Sequence, residues 1–120
     1  MAVIRLQNTS FVARNVGRVA EFWQRALGLP VRFRDADRWV QLKAGEHAFA
    51  IASQAEGVPD QAGAVPVFEV DDLEAQATAI AEHGGRVLST RDMGDHGHLL
   101  TFSDPEGNVA QLFSRAAHPG

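Results

Sequence analysis

No cysteine occurs in this chain of 120 residues. That excludes disulfides, thiolate zinc sites and cysteine nucleophiles, and leaves stability to packing. Nor is there an apolar run near the ~18 residues that a membrane-spanning helix needs. Met1 to Leu6 has neither the basic start nor the long apolar stretch of a signal peptide, so the expectation is a soluble, cytoplasmic protein. A basic stripe is missing too. The arginines (5, 14, 18, 25, 32, 34, 38, 86, 91 and 115) are interspersed with acids in a chain of net charge −4, so nucleic acid is not an expected partner, and neither is a membrane. What is present, 45% apolar and 22% charged residues, suits one compact domain over residues 1–120.

Along the chain, Val3 to Ala13 reads as a strand, and Asn15 as the N-cap of a helix over Val16 to Leu27. Val19, Phe22, Trp23, Ala26 and Leu27 recur at three- and four-residue steps, and Gly28 stands where a C-terminal glycine is expected. Val31 to Phe33, Arg38 to Leu42 and Ala48 to Ala52 follow as short strands. The small, polar stretch 56–63 reads as a linker between a first module at about 3–55 and a second at about 64–116. The second repeats the order: a strand Val65 to Val70, and a helix capped by Asp71 or Asp72 with Glu74 placed for a capping box. Gly84-Gly85 ends that helix, and strands Arg86 to Ser89, Leu99 to Ser103 and Val109 to Phe113 follow.

A shift of 57 carries Phe11 to Phe68, Ala13 to Val70, Val16 to Leu73 and Gly28 to Gly85. Near the end the shift grows to about 61, taking Phe49 to Ala110 and Ile51 to Leu112, with the extra residues in Asp92 to His98. The fold class is therefore α+β, two βαβββ modules. Because side chains alternate across a strand, Phe49, Ile51, Ala110 and Leu112 lie under the helices. Asn8, Ser10, Trp39, Gln41, Val65, Val67, Glu69, Leu99, Thr101, Gln111 and Phe113 fall on the opposite face. That face is too apolar for open water, which implies a ligand cleft or a subunit interface.

The runs VAEFWQRALGLPV (Val19 to Val31), FEVDDLEAQA (Phe68 to Ala77) and DPEGNVAQLF (Asp104 to Phe113) together resemble the vicinal oxygen chelate superfamily of glyoxalase I, bleomycin resistance proteins and extradiol dioxygenases. The resemblance covers Val3 to Phe113. It implies modules whose curved mixed sheets surround a cleft, usually completed by a partner in a homodimer. In the metalloenzyme branches four side chains bind a divalent ion, and matching by motif puts those positions at Asn8, Ala50, Val65 and Gln111. The chain departs from that pattern: Ala50 and Val65 have no donor atom, and two amides are poor ligands for zinc or iron. No metal cofactor is expected at the usual place.

Of the remaining histidines and acids, His96 and His98 form the off-pattern metal candidate, against the plainer account of a solvated hairpin or a loop gating the ligand. His83 suits a helix C-terminus, His47 an exposed turn, and His118 lies in the tail. Asp104 to Asn108 reads as a tight turn. Trp23 belongs to the core by its helical spacing. Trp39 suits either stacking on a planar ligand or a dimer interface. Glu69 is the one candidate base, with a rim salt bridge as the alternative. Ser10 has no histidine and acid beside it in sequence and is no nucleophile.

The expectation is a metal-free binding protein of the bleomycin-resistance type, sequestering a hydrophobic or aromatic small molecule such as an antibiotic. Asn8, Ser10, Trp39, Gln41, Val65, Val67, Leu99, Gln111 and Phe113 are its contacts. The rivals are a lyase, isomerase or dioxygenase with a displaced metal, and a metal-free enzyme using Glu69.

Overall fold

The computed structural model describes residues 4–58, 60 and 63–115. Thr9–Val12 forms β1, Val16–Leu27 α1, Val31–Asp35 β2, Trp39–Ala44 β3 and His47–Ala52 β4. The second module repeats the order with Val67–Glu69 as β5, Leu73–Glu82 as α2, Arg86–Asp92 as β6, His98–Ser103 as β7 and Val109–Ser114 as β8. Each module is a four-stranded mixed sheet, β1-β4-β3-β2 and β5-β8-β7-β6, in which the first strand runs parallel to the last. Part of the 56–63 linker and His118 lie outside the described residues. Among the described residues, no helix is long and apolar enough to cross a membrane.

Both helices start where a short polar side chain meets the orphan amides of the first turn. Asn15 accepts the Arg18 N–H at 3.1 Å, and Asp72 accepts that of Ala75 at 3.1 Å. With Asp72 as cap, Glu74 is the second helical residue and adds a negative charge to the first turn. Gly28 closes α1 in the left-handed conformation at φ 73°. In α2 that conformation falls to Gly84, φ 94°, because the helix stops at Glu82. Gly85, the partner of Gly28 by sequence shift, serves another purpose: a Cβ there would come within 2.7 Å of the Phe22 ring, so a glycine lets β6 approach α1.

The helix-side faces of the two sheets share one core. Trp23 of α1 is fully buried, and its ring centroid lies 4.7 Å from Phe49, 5.9 Å from Phe11, 5.7 Å from Phe68 and 5.6 Å from Phe102, which joins strands of both modules. The turn after β7 clamps the same helix. Asp104 accepts the Trp23 indole N–H at 3.2 Å, Glu106 accepts the amides of Arg14 and Asn15 at 2.7 and 2.8 Å, and the Asn108 amide donates to the Val12 carbonyl at 3.2 Å. The tight turn expected at Asp104–Asn108 is thus also the bolt between modules.

The insertion at Asp92–His98 is where the two hairpins differ. β6 runs three residues past the expected Ser89, a 3-10 turn spans Gly94–His96, and β7 begins at His98.

Candidate functional site

Register fixes which side chains share the face away from the helices, since directly paired residues project to the same side. In the first module one row reads Phe33, Gln41, Ala50, Ser10, and the next Asp35, Trp39, Ala52, Val12. In the second module the matching rows are Ser89, Thr101, Gln111, Val67 and Arg91, Leu99, Phe113, Glu69. The parity expected for β1, β3, β4, β5, β7 and β8 is observed. Asn8 and Val65 precede the first strand of their modules by one and two residues, half-buried and exposed respectively.

Phe33, Ser89 and Arg91 were not among the sequence candidates. β2 carries a register shift between Val31 and Phe33, and β6 one between Val87 and Ser89, so simple alternation does not assign their sides. The two irregularities are 56 residues apart, close to the 57-residue repeat seen in the sequence. That makes the bulge part of the duplicated plan.

The polar groups of these rows are partly tied together. The Trp39 indole donates to Gln41 Oε1 at 3.4 Å, and an indole N–H can only donate, so the Gln41 amide N–H₂ is left pointing elsewhere. Gln111 Nε2 donates to Thr101 Oγ1 at 3.1 Å. Glu69 meets Arg115 at 3.4 Å, both exposed, and the Arg115 guanidinium lies 5.6 Å from the centre of the Phe113 ring. This is the rim salt bridge weighed for Glu69; it occupies the carboxylate with a cation.

The four positions that the superfamily resemblance assigns to a metal do not fit one. Ala50 is not only without a donor atom but 0% exposed on the uncovered face, so its neighbours close over it. Val65 offers only methyl groups. The amides of Asn8 and Gln111 remain, too few and too weakly basic for zinc or iron. Nor do His96 and His98 make the displaced site. His98 shares the helix-side parity of Leu100 and pairs across strands with Asp92 and Ser114, its Nδ1 3.8 Å from Asp92, whereas His96 sits exposed in the 3-10 turn. Among the described residues no three histidine, aspartate or glutamate side chains come together to hold an ion.

Two cavities flank the seam where β1 and β5 leave their outer edges unpaired, and Thr9 and Pro66 line both. One, of about 590 Å³, holds Ser10 and Trp39 beside Glu56 and Glu106. The other, of about 500 Å³, holds Val67 and Glu69 with Leu6, Leu29 and Phe68. Ser10, Trp39 and Val67 therefore line concave spaces, while Asn8, Gln41, Val65, Leu99, Gln111 and Phe113 line neither of these two. Within one chain the seven candidates that lie on strands project to the side away from the helices, and the nine do not share either of these two cavities.

A duplicated βαβββ fold defines a class, and the comparisons agree with it. The family profile described as "Glyoxalase-like domain" matches residues 8–113. The chain belongs to that family, and with it to the vicinal oxygen chelate superfamily. No curated protein sequence matches. Among solved structures, lactoylglutathione lyase from Agrobacterium tumefaciens is similar over 95% of this chain and 96% of its own, at 16% identity and TM-score 0.72. A glyoxalase/bleomycin resistance protein/dioxygenase family enzyme from Burkholderia phytofirmans gives 92%, 98%, 15% and 0.74 in the same order. The fosfomycin resistance protein FosX from Listeria monocytogenes, solved with Mn(II), gives 96%, 92%, 11% and 0.76. At these identities the likeness carries the fold and no activity.

Proposed function

We propose that the chain is a metal-free small-molecule binding protein that sequesters a hydrophobic or aromatic ligand, an antibiotic of planar shape among the candidates. The observation that carries this reading is the pair of matched central positions, a sealed Ala50 and a neutral Gln111, on a face that nonetheless keeps Trp39, Leu99 and Phe113. A face stripped of cation ligands but rich in flat apolar surface suits shape and stacking. Trp39 supplies the stacking surface, with the Gln41 amide N–H₂ and the Gln111 amide oxygen orienting the ligand.

The protein acts as a cytoplasmic homodimer in this reading. Support comes from apolar side chains bare in one chain, Phe33 at 57% and Val67 at 54% exposure, which a second copy would cover. The test is calorimetric titration of the untagged protein with planar aromatic antibiotics, beside metal analysis of the same preparation. Micromolar binding weakened by Trp39→Ala, without stoichiometric metal, is the expected result. Stoichiometric manganese, zinc, nickel or iron, with turnover that depends on it, overturns the reading in favour of a lyase, isomerase or dioxygenase. The FosX neighbour solved with Mn(II) is the reason to run that arm. A Glu69-based reaction has less support, since Glu69 is bridged to Arg115 at the rim.

A further inference from the structure

The two halves of the cleft face differ in charge, and the difference lies on the strands whose bulges hide it from the sequence. On β2 the face carries Phe33 and Asp35, and Asp35 is neutralised by Arg38 at 2.9 Å. Half-buried Lys43, paired with Ala48, is the one cation that strand pairing places on the face of that module, since Arg34 pairs with Val40 on the helix side and Arg32 stands unpaired at the β2 bulge. On β6 the same register places Arg86, Ser89 and Arg91 on the face, paired with Ser103, Thr101 and Leu99. Neither Arg86 nor Arg91 has a hydrogen-bond or ion-pair partner among the described residues, and both are exposed. The one acid in their rows, Glu69, is already held by Arg115. A chain of net charge −4 thus keeps along one edge of an apolar surface two guanidinium groups that are unpaired among the described residues. Leu99 and Phe113 lie next to Arg91 in its row, so Arg91 is two strand spacings, roughly 10 Å, from Phe113, about the span of a fused two-ring system with its substituent.

Resting on the cleft reading above, we infer that the ligand is an aromatic anion, whose carboxylate, sulfonate or phosphate is met by Arg91 and Arg86 while its rings lie on Leu99 and Phe113. A guanidinium fork matches such oxyanions in two-point contact, and the apolar floor beside it weakens screening by water. Gln111 and Thr101, one row away, supply neutral hydrogen bonds to the ring substituents.

The experiment compares three probes of one shape and different charge: 1-naphthoate, 1-naphthamide and 1-naphthylmethylammonium. Binding is read by calorimetry and by tryptophan fluorescence at low and moderate salt. The expected result is naphthoate tighter than naphthamide by about tenfold, the size of one charge-assisted contact at a half-solvated site, with the cation weakest and the preference shrinking as salt rises. In the double variant Arg86→Gln, Arg91→Gln the preference disappears and naphthamide affinity stays. In Arg32→Gln, which removes the cation at the β2 bulge, the preference stays. Equal binding of all three probes, weakened by Trp39→Ala, leaves the cleft reading standing and overturns the anion. Loss of the preference in Arg32→Gln as fully as in the double variant also overturns it, because overall charge would then be the cause. Binding of none of the three overturns both.

Discussion

Replacing Asp104 by alanine tests the bolt between the modules. The carboxylate is 3% exposed and accepts four hydrogen bonds: from the Trp23 indole at 3.2 Å, the Glu106 amide at 2.9 Å, the Asn108 amide at 3.0 Å and the Asn108 side chain at 2.9 Å. Trp23 is fully buried, so its orphaned N–H costs ~2 kcal/mol, and the two Asn108 donors, half-buried, add ~1 kcal/mol each. Glu106 is exposed and its amide finds water. Against this, alanine removes a buried charge, which returns ~1 kcal/mol. The net is about 3 kcal/mol, and with an unfolding entropy of roughly 2.1 cal/mol/K per residue that lowers Tm by about 12 °C. Urea unfolding followed by near-ultraviolet circular dichroism reads it. Burial pushes the Asp104 pKa up, and the hydrogen bonds from Asn108, Trp23 and Glu106 oppose that rise. Because the folded pKa is raised, the group's pH-linked stability is full below the unfolded value of 3.8 and is lost as pH rises through the folded value. The gap between wild type and Asp104→Ala should therefore widen on acidification from neutral pH. A loss under 1 kcal/mol, or a gap that narrows in acid, refutes the account of Asp104 as a desolvated acceptor of buried donors.

Glu106→Ala removes the acceptor of two amides at the entry to α1, both exposed, so a loss of about 1–2 kcal/mol is expected in the same urea assay. No measurable change would mean water serves those amides as well. Ala36, in the β2–β3 turn, holds φ at 47°, the left-handed region that glycine enters freely. Ala36→Gly should stabilise by about 0.5–1 kcal/mol in thermal unfolding, and a loss of stability would show the turn is not strained.

The core was legible because packing under a helix demands apolar side chains at every alternate position. Val40 and Leu42 match Leu100 and Phe102 across the duplication, and all four are buried. Asn15 and Trp23 could be placed from helical spacing alone, since capping and core periodicity are local rules. The clamp was not legible: Glu106 meets Arg14 and Asn15 across more than 90 residues of chain, and a surface glutamate in a turn gives no local sign of that partner. Arg91 was hidden for a different reason. The expected strand stops at Ser89, two residues short of it, and alternation assigns a face only while the register is regular, which the shift before Ser89 interrupts.

The same constraint explains why chemistry concentrates on one side of this duplicated scaffold. Core partners keep their character through the repeat, Phe11 with Phe68 and Ile51 with Leu112, because a polar change there leaves a buried group without a partner. Across the sheet no such penalty holds, and the matched positions have diverged: Phe33 against Ser89, Ala50 against Gln111, Trp39 against Leu99, Asp35 against Arg91. Two halves that began alike thus present unlike surfaces, one aromatic with its acid neutralised and one edged by the Arg86 and Arg91 guanidinium groups, which have no partner among the described residues. A ligand with twofold symmetry would waste one half of such a site, whereas a molecule with a flat apolar end and a charged end uses both. The divergence of the cleft rows, set against the constancy of the core rows, is therefore itself an argument for an asymmetric ligand.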